Sequence, residues 1–225
     1  ETRIPVFEQA IGLGEPAKRV TIGSGYVRAA LEELFVENRE HYRPMLPIDL
    51  EEPEAALAHL RLHNGTIWRW NRPLIGFDDD GRAHLRIEHR PLAAGPTTAD
   101  MAANMAFFYG LAQSLASAGD APELALPFSA AKQNFYEAAR LGLAASIDWI
   151  DGQRTSLERL VRDELIGRAH AGLEALKVDA TDIDRYLGII EARVVSGQTG
   201  AAWQRFFVER YGRDLTKLAT QGKLD

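Results

Sequence analysis

The chain contains no cysteine. Disulfides, zinc–thiolate centres and cysteine nucleophiles are therefore excluded. The same absence fits a reducing compartment, so a cytoplasmic setting is the expectation. No stretch approaches about 18 uninterrupted apolar residues, and no spanning helix or membrane partner is expected. Basic charge is not in excess: 26 Lys and Arg against 32 Asp and Glu give a formal net charge of −6. A general nucleic-acid binder usually needs a basic field, so that class is set aside. The opening ETRIPVFEQA lacks the basic-then-apolar order of a signal peptide. Several catalytic motifs are missing too. There is no GxxxxGK[ST] loop, no GxGxxG turn and no GxSxG elbow. His59 and His63 have the spacing of two helical metal ligands, but Leu60 follows His59 and the HExxH pattern fails.

What is present is a chain of 225 residues, 46% hydrophobic and 26% charged, long enough to bury a real core. The stretch to about Gly25 reads as extended or irregular, with a short strand at Arg19–Ile22. Residues 26–42 place Val27, Leu31, Leu34 and Phe35 at helical spacing, with Ser24 as a cap. A shorter helix is expected over Glu54–Leu62. Gly65–Arg72 is rich in β-branched and aromatic residues, and His84–Arg90 alternates with period two. The Asp78-Asp79-Asp80-Gly81 run between them reads as the turn of a β-hairpin.

Beyond Pro96 the pattern is helical. Thr97-Thr98-Ala99-Asp100 reads as a capping box for a helix whose Met101, Met105, Phe108, Ala112 and Leu115 form an apolar stripe. Further helices are expected over Phe128–Leu141, from Thr155 to about Leu176, over Asp182–Val195 and over Ala201–Tyr211, with a small hairpin around Asp151-Gly152. The expected class is α+β, a small antiparallel sheet packed with a predominantly helical C-terminal half. One domain is expected over 1–225, with an active-site hairpin and supporting helices at 60–145 and a helical tail at 146–225. No role is read for 155–225.

The strand HLRIEHR carries the most chemistry. Side chains at i and i+2 share a face, so His84, Arg86, Glu88 and Arg90 point one way while Leu85 and Ile87 point to the core. A carboxylate between guanidiniums stays ionised. Arginine grips phosphate oxygens bidentately, and a glutamate can bind Mg²⁺ beside them. The competing reading is a solvated strand face with ion pairs worth roughly 0–1 kcal/mol each. In IWRWNRP, Arg72 shares a face with Trp68 and Trp70, while Arg69 and Asn71 point the other way. An arginine from this strand would add to the row, leaving more positive charge than local pairing needs. The Asp78–Asp80 run is expected to be an exposed turn, not a cation site.

At this point the residues resemble a known family. LRIEHRPLAAGPTTADMAANMAFFYGL is similar to the active-site strand and following helix of the glutamine synthetase superfamily. HNGTIWRWNRP and NFYEAARLGLAAS resemble, more specifically, glutamate–cysteine ligase family 2, the carboxylate–amine ligases. Three segments match in order over roughly residues 60–145, and DIDRYLGIIEARVVSGQTGAAW also looks like this family.

The resemblance implies a glutamine synthetase-like catalytic fold, here incomplete, and an ATP-dependent ligase acting in glutathione biosynthesis. Such an enzyme phosphorylates the γ-carboxylate of glutamate, and an amine, cysteine by family default, then displaces phosphate from the γ-glutamyl phosphate. ATP and Mg²⁺ are implied, with small-molecule substrates and a homo-oligomer as an open option. By the same resemblance Glu88 is the metal ligand, and Arg72 and Arg90 are the catalytic phosphate or carboxylate clamps. Arg86, Asn134 and Arg140 complete the substrate and ATP contacts. The alternative is a non-catalytic or regulatory domain that keeps the fold and binds an anionic metabolite.

The sequence departs from the family pattern twice. Trp70 stands where many relatives carry an acid. The first metal-binding carboxylates of the superfamily lie on N-terminal strands, and no Glu-x-Glu strand occurs in residues 1–25. The chain therefore reads as the C-terminal half of a longer ligase. Titrated with Mg-ATP, the 225-residue chain alone is expected to bind weakly and release no phosphate. Robust ligase turnover by this chain would contradict that reading.

Overall fold

The computed structural model describes residues 3–10, 18–93 and 95–221. The chain is α+β and predominantly helical, and among the described residues the strands form three two-stranded sheets. It divides into two compact units, Thr2–Leu92 and Ala93–Asp225. Among the described residues no helix is long and apolar enough to cross a membrane.

The first unit runs α1 (Arg3–Ala10), β1 (Val20–Thr21), α2 (Glu32–His41), α3 (Ala58–Gly65), β2 (Trp68–Arg69), β3 (Asn71–Phe77) and β4 (Ala83–His89). The opening stretch expected to be irregular contains α1. Pro5 sits in its first turn, where the missing N–H costs no intrahelical bond. The expected strand near Arg19 forms as β1 and pairs parallel to β2. Residues 11–17 of that opening stretch lie outside the described residues.

The helix expected from Tyr26 begins later, at Glu32. Ser24 does not cap it; its hydroxyl donates to Glu37 Oε1 at 2.8 Å. Glu33 reaches back instead, and its carboxylate accepts backbone N–H groups of Arg28, Ala29 and Ala30 at 2.6–3.3 Å. These bonds from Ala29, Arg28 and Ala30 hold the Glu33 carboxyl below the usual range. The helix expected over Glu54–Leu62 breaks at Leu57, whose φ is +50°. A single 3-10 turn, Glu54–Ala56, precedes the break and α3 follows it.

The second unit runs α4 (Thr98–Ala116), α5 (Pro122–Ala125), α6 (Phe128–Leu141), β5 (Ser146–Asp148), β6 (Arg154–Ser156), α7 (Leu157–Leu160), α8 (Ile166–Ala175), α9 (Ala180–Ser196), α10 (Gly200–Tyr211) and α11 (Leu215–Gln221). Residues Val161–Leu165 form a π-turn between α7 and α8. The capping box at Thr97 forms as read: its hydroxyl accepts Asp100 N–H at 3.2 Å, and Asp100 Oδ2 accepts Thr97 N–H at 3.2 Å. Asp100 Oδ1 also accepts from Arg193 of α9 at 2.8 Å, and Arg193 donates to Asn104 at 2.8 Å.

The stripe expected to bury α4 is only partly correct. Met101 and Met105 stay exposed, and the buried positions are Ala103 and Gly110. The reason is close approach. A Cβ on Gly172 of α8 would run into the Gly110 carbonyl, and one on Gly110 into the Ala169 backbone. Small residues let the two helix backbones touch, so bulk is displaced to the flanks. Ile147, Leu160, Val161, Leu165, Ile190 and Val194 pack into one apolar cluster, with Phe107 and Leu111 of α4 against it. Ala169, Leu173, Ile183 and Leu187 form a second.

Two glycine substitutions separate close approach from helix propensity. Gly172→Ala is expected to destabilise the chain by about 1–3 kcal/mol through overpacking. Gly188→Ala, in α9 with no atom within 4 Å of the added Cβ, is expected to stabilise it by about 0.5–1 kcal/mol. Urea denaturation midpoints measure both, and shifts of the same sign would contradict the close helix crossing.

Candidate functional site

The hairpin register is set by Asn71↔His89 and runs to Phe77↔Ala83. Period-two geometry then puts Arg72, Leu74 and Gly76 on one face with Glu88, Arg86 and His84. Arg72 and Glu88 are directly opposed. The guanidinium meets Glu88 Oε2 through Nη2 at 2.8 Å and Nε at 3.0 Å, and its Nη1 donates to the Gly65 carbonyl at 3.3 Å. Arg90, just past the strand end, brings Nε to the same oxygen at 3.4 Å. Its backbone N–H donates to the Trp70 carbonyl at 2.9 Å, which extends the pairing beyond β3.

All these contacts converge on Oε2. Glu88 Oε1 has no hydrogen-bond partner among the described residues, and the side chain is 37% exposed. The carboxylate is thus fixed in direction by one oxygen and open at the other. Arg86, on the same face, is exposed and makes no ion pair or hydrogen bond among the described residues. Burial pushes the Arg90 guanidinium below its ordinary value. The Arg72 charge adds to that, Glu88 opposes it, and Arg3 lowers it further. The local field is therefore net positive at Arg90.

Arg3 was not singled out from the sequence. It lies at the start of α1, and its Nη2 donates to the Pro91 carbonyl at 2.9 Å, next to Arg90. Glu8 of the same helix accepts the Trp70 indole N–H at 3.0 Å. Trp70 is buried, and that carboxylate is the partner of its indole. No motif marks either contact in the sequence.

A buried polar chain backs the hairpin. Arg69, 3% exposed, points away from Arg72 as strand parity predicts. It donates to Glu37 Oε2 at 2.7 Å and to Asn38 Oδ1 at 3.0 Å. Asn38 donates to Asn64 at 3.1 Å, and Asn64 donates to the Pro73 carbonyl at 2.7 Å. Pro73 follows Arg72, so α2 and α3 are tied to the strand that carries the site. Burial raises the Glu37 carboxyl, but hydrogen bonds from Arg69 and Ser24 more than reverse this and leave it below its ordinary value.

The competing features resolve as structure. Gly81 takes φ +82° in the Asp-rich turn, and Asp78 pairs with His84 at 3.0 Å and Arg82 at 3.4 Å. His59 Nε2 accepts the Leu50 N–H at 3.0 Å, and His63 Nε2 lies 3.0 Å from the Tyr42 carbonyl, so each ring has its own partner. Leu85 and Ile87, expected to point to the core, are each 46% exposed.

Asn134 and Arg140 lie on α6, in the second unit. Asn134 Nδ2 donates to the Asp148 carbonyl at 2.6 Å, and its Oδ1 accepts the Asp148 N–H at 3.0 Å. Its amide thus acts as a strand edge for β5. Arg140 is exposed and pairs with Glu137 one turn earlier at 3.0 Å. The hairpin therefore gathers Arg72, Arg86, Glu88 and Arg90, while Asn134 and Arg140 belong to a separate element.

The hairpin defines an α+β protein with a cationic face built around one directed carboxylate. The chain belongs to glutamate–cysteine ligase family 2, whose model matches residues 24–219. The matched span contains all six residues named from the sequence, and α1 precedes it. No curated protein and no solved structure matches the chain.

The buried chain behind the hairpin gives a pH test. The unfolded Glu37 carboxyl takes up its proton at a higher pH than the folded one. Its contribution is therefore full above its ordinary value of 4.5 and is lost as pH falls through the lower folded value. Glu37→Gln is expected to cost about 3 kcal/mol at pH 7, because Arg69 stays buried without its counter-charge. The variant should also lose less stability than wild type on acidification from pH 6 to pH 3. Parallel pH profiles would contradict the assignment.

Proposed function

We propose that this chain carries the phosphate-handling hairpin of an ATP-dependent carboxylate–amine ligase of glutamate–cysteine ligase type. Membership of a ligase family supports the reaction class. The observation that carries the reading is the arrangement at Glu88: two guanidiniums hold Oε2 and leave Oε1 open. Phosphoryl transfer from ATP to a carboxylate needs fixed positive charge where the transferring group gathers negative charge. Arg72 and Arg90 are placed to supply it, and Arg86 adds an exposed cation on the same face.

Magnesium keeps several waters and is bound by one or two carboxylates together with substrate phosphates. Glu88 Oε1 fits one such position. Among the described residues no group of three or more His, Asp or Glu could hold a metal ion alone. The metal is therefore proposed to sit jointly on Glu88 and the nucleotide, where it would neutralise phosphate charge. The residues themselves do three things in this reading. Arg72 orients Glu88, Arg90 keeps positive charge at the strand end, and Trp70 carries Arg90 on its backbone. Glutamate and an amine, cysteine by family default, are the proposed substrates, joined through a γ-glutamyl phosphate. Asn134 and Arg140 are proposed as further substrate or ATP contacts, supported by the family motif on α6.

Calorimetric titration with ATP, with and without Mg²⁺, separates this reading from a metabolite-binding domain. Arg72→Ala is expected to weaken Mg-ATP binding by about tenfold, the scale of one lost charge-assisted contact. Glu88→Gln should weaken binding only when Mg²⁺ is present. If Glu88→Gln instead tightens ATP binding equally with and without the metal, the hairpin is an anion-binding module and not a ligase site.

A further inference from the structure

The second unit also holds a carboxylate fixed through one oxygen, on residues the hairpin does not use. Glu164 lies in the π-turn Val161–Leu165 between α7 and α8. Its Oε1 accepts the Trp149 indole N–H at 2.9 Å and the Arg168 Nε–H at 2.7 Å. Trp149 opens the turn between β5 and β6, where its carbonyl accepts the Gly152 N–H at 3.0 Å. Its ring packs against the apolar cluster that includes Leu160 and Ile147. The indole is thus a fixed donor that reaches Glu164 from a separate element. Arg168 stands one helical turn beyond Glu164.

The π-turn is the second sign of a built site. Such turns interrupt the regular helical ladder and frequently mark functional positions. Val161 and Leu165 at its two ends are both buried, and Glu164 beside Leu165 is held on Trp149. The other acid of the turn is paired locally: Asp163 meets Arg162 at 2.9 Å and Arg159 at 3.4 Å.

The groups left open define the ligand. Glu164 Oε2 has no hydrogen-bond partner among the described residues, and neither Nη of Arg168 has one. Those two nitrogens carry four N–H donors. The side chains of Glu164 and Arg168 are 31% and 35% exposed, so both open ends are within reach of a solute. A simple anion at Arg168 would also meet the Glu164 charge, and a simple cation at Glu164 would meet the Arg168 charge. A ligand with both charges side by side meets each with its opposite. An α-amino acid has a single carbon between its ammonium and its carboxylate, and a guanidinium fork matches the carboxylate.

We propose that Trp149, Glu164 and Arg168 form a binding site for a zwitterionic α-amino acid. Glu164 Oε2 accepts the α-ammonium, and the two Nη groups of Arg168 grip the α-carboxylate. Trp149 is a positioning residue that holds the Glu164 carboxylate. The site lies within the second unit, carries no assigned reaction and does not rest on the phosphate reading of the hairpin.

The test is an NMR titration of the isotope-labelled full chain with glycine, at neutral pH and constant ionic strength. The Trp149 indole N–H is the reporter, because its acceptor is Glu164, and Trp149→Phe identifies its resonance. Glycine is expected to shift it saturably, with a midpoint on the order of millimolar. Acetate and methylammonium carry one charge each and should need about tenfold more for the same shift. This comparison on the wild-type chain needs no substitution. Glu164→Gln, which keeps an oxygen for the indole, and Arg168→Gln should each raise the glycine midpoint about tenfold. An ion pair that only braces the helix gives no saturable shift with glycine, and that result overturns the proposal. So does a shift by acetate or methylammonium equal to that by glycine, or a glycine midpoint unchanged in either variant.

Discussion

Glu88 Oε2 receives Arg72 from the opposing strand at 2.8 Å and Arg90 from beyond the strand end at 3.4 Å. That shared oxygen ties together the register of the hairpin, the path of the chain past Pro91 and the direction of the carboxylate. A surface ion pair of this exposure contributes little to stability. Its consequence is geometric. Two cations on one oxygen make the carboxylate rigid and leave its second oxygen as the open acceptor on a positive face. Such preorganisation is what a site for a metal–phosphate complex needs, because reorganisation at the moment of reaction is avoided.

The hairpin is held from behind by a different kind of interaction. Arg69, Glu37, Asn38 and Asn64 pass hydrogen bonds from α2 through α3 to the Pro73 carbonyl. In an apolar interior such a chain stands or falls as a whole, since a single missing partner leaves a buried polar group unsatisfied. The strand parity that sends Arg69 inward sends Arg72 outward. One alternation therefore supplies both the buried anchor and the exposed clamp.

Much of this was legible in the sequence. Period-two alternation in HLRIEHR located β4 and its charged face, and Asp-Gly located both hairpin turns. The Thr97–Asp100 spacing located the start of α4. These signals are local, and local hydrogen bonds decide them. What the sequence hid was non-local. Arg3 and Glu8 reach Pro91 and Trp70 across 88 and 62 residues, and no spacing rule covers such a distance. The α4 stripe misled for a related reason. Met101 and Met105 have the right period, but the Gly110–Gly172 approach decides which side of the helix is buried. The start of α2 moved because Glu33 organises the turn ahead of it, a side-chain-to-backbone contact that helical periodicity does not report.

The central claim is that the open oxygen of Glu88 faces a metal held together with phosphate. Manganese broadens the resonances of nearby nuclei, so the backbone amides of an isotope-labelled chain report where the ion sits. With saturating ADP and substoichiometric Mn²⁺, the amides of residues 86–90 are predicted to broaden first, and Glu88→Gln is predicted to abolish the effect. If those amides stay sharp while others broaden, or if the Glu88→Gln chain broadens in the same way, the metal is not at Glu88 and the account is wrong.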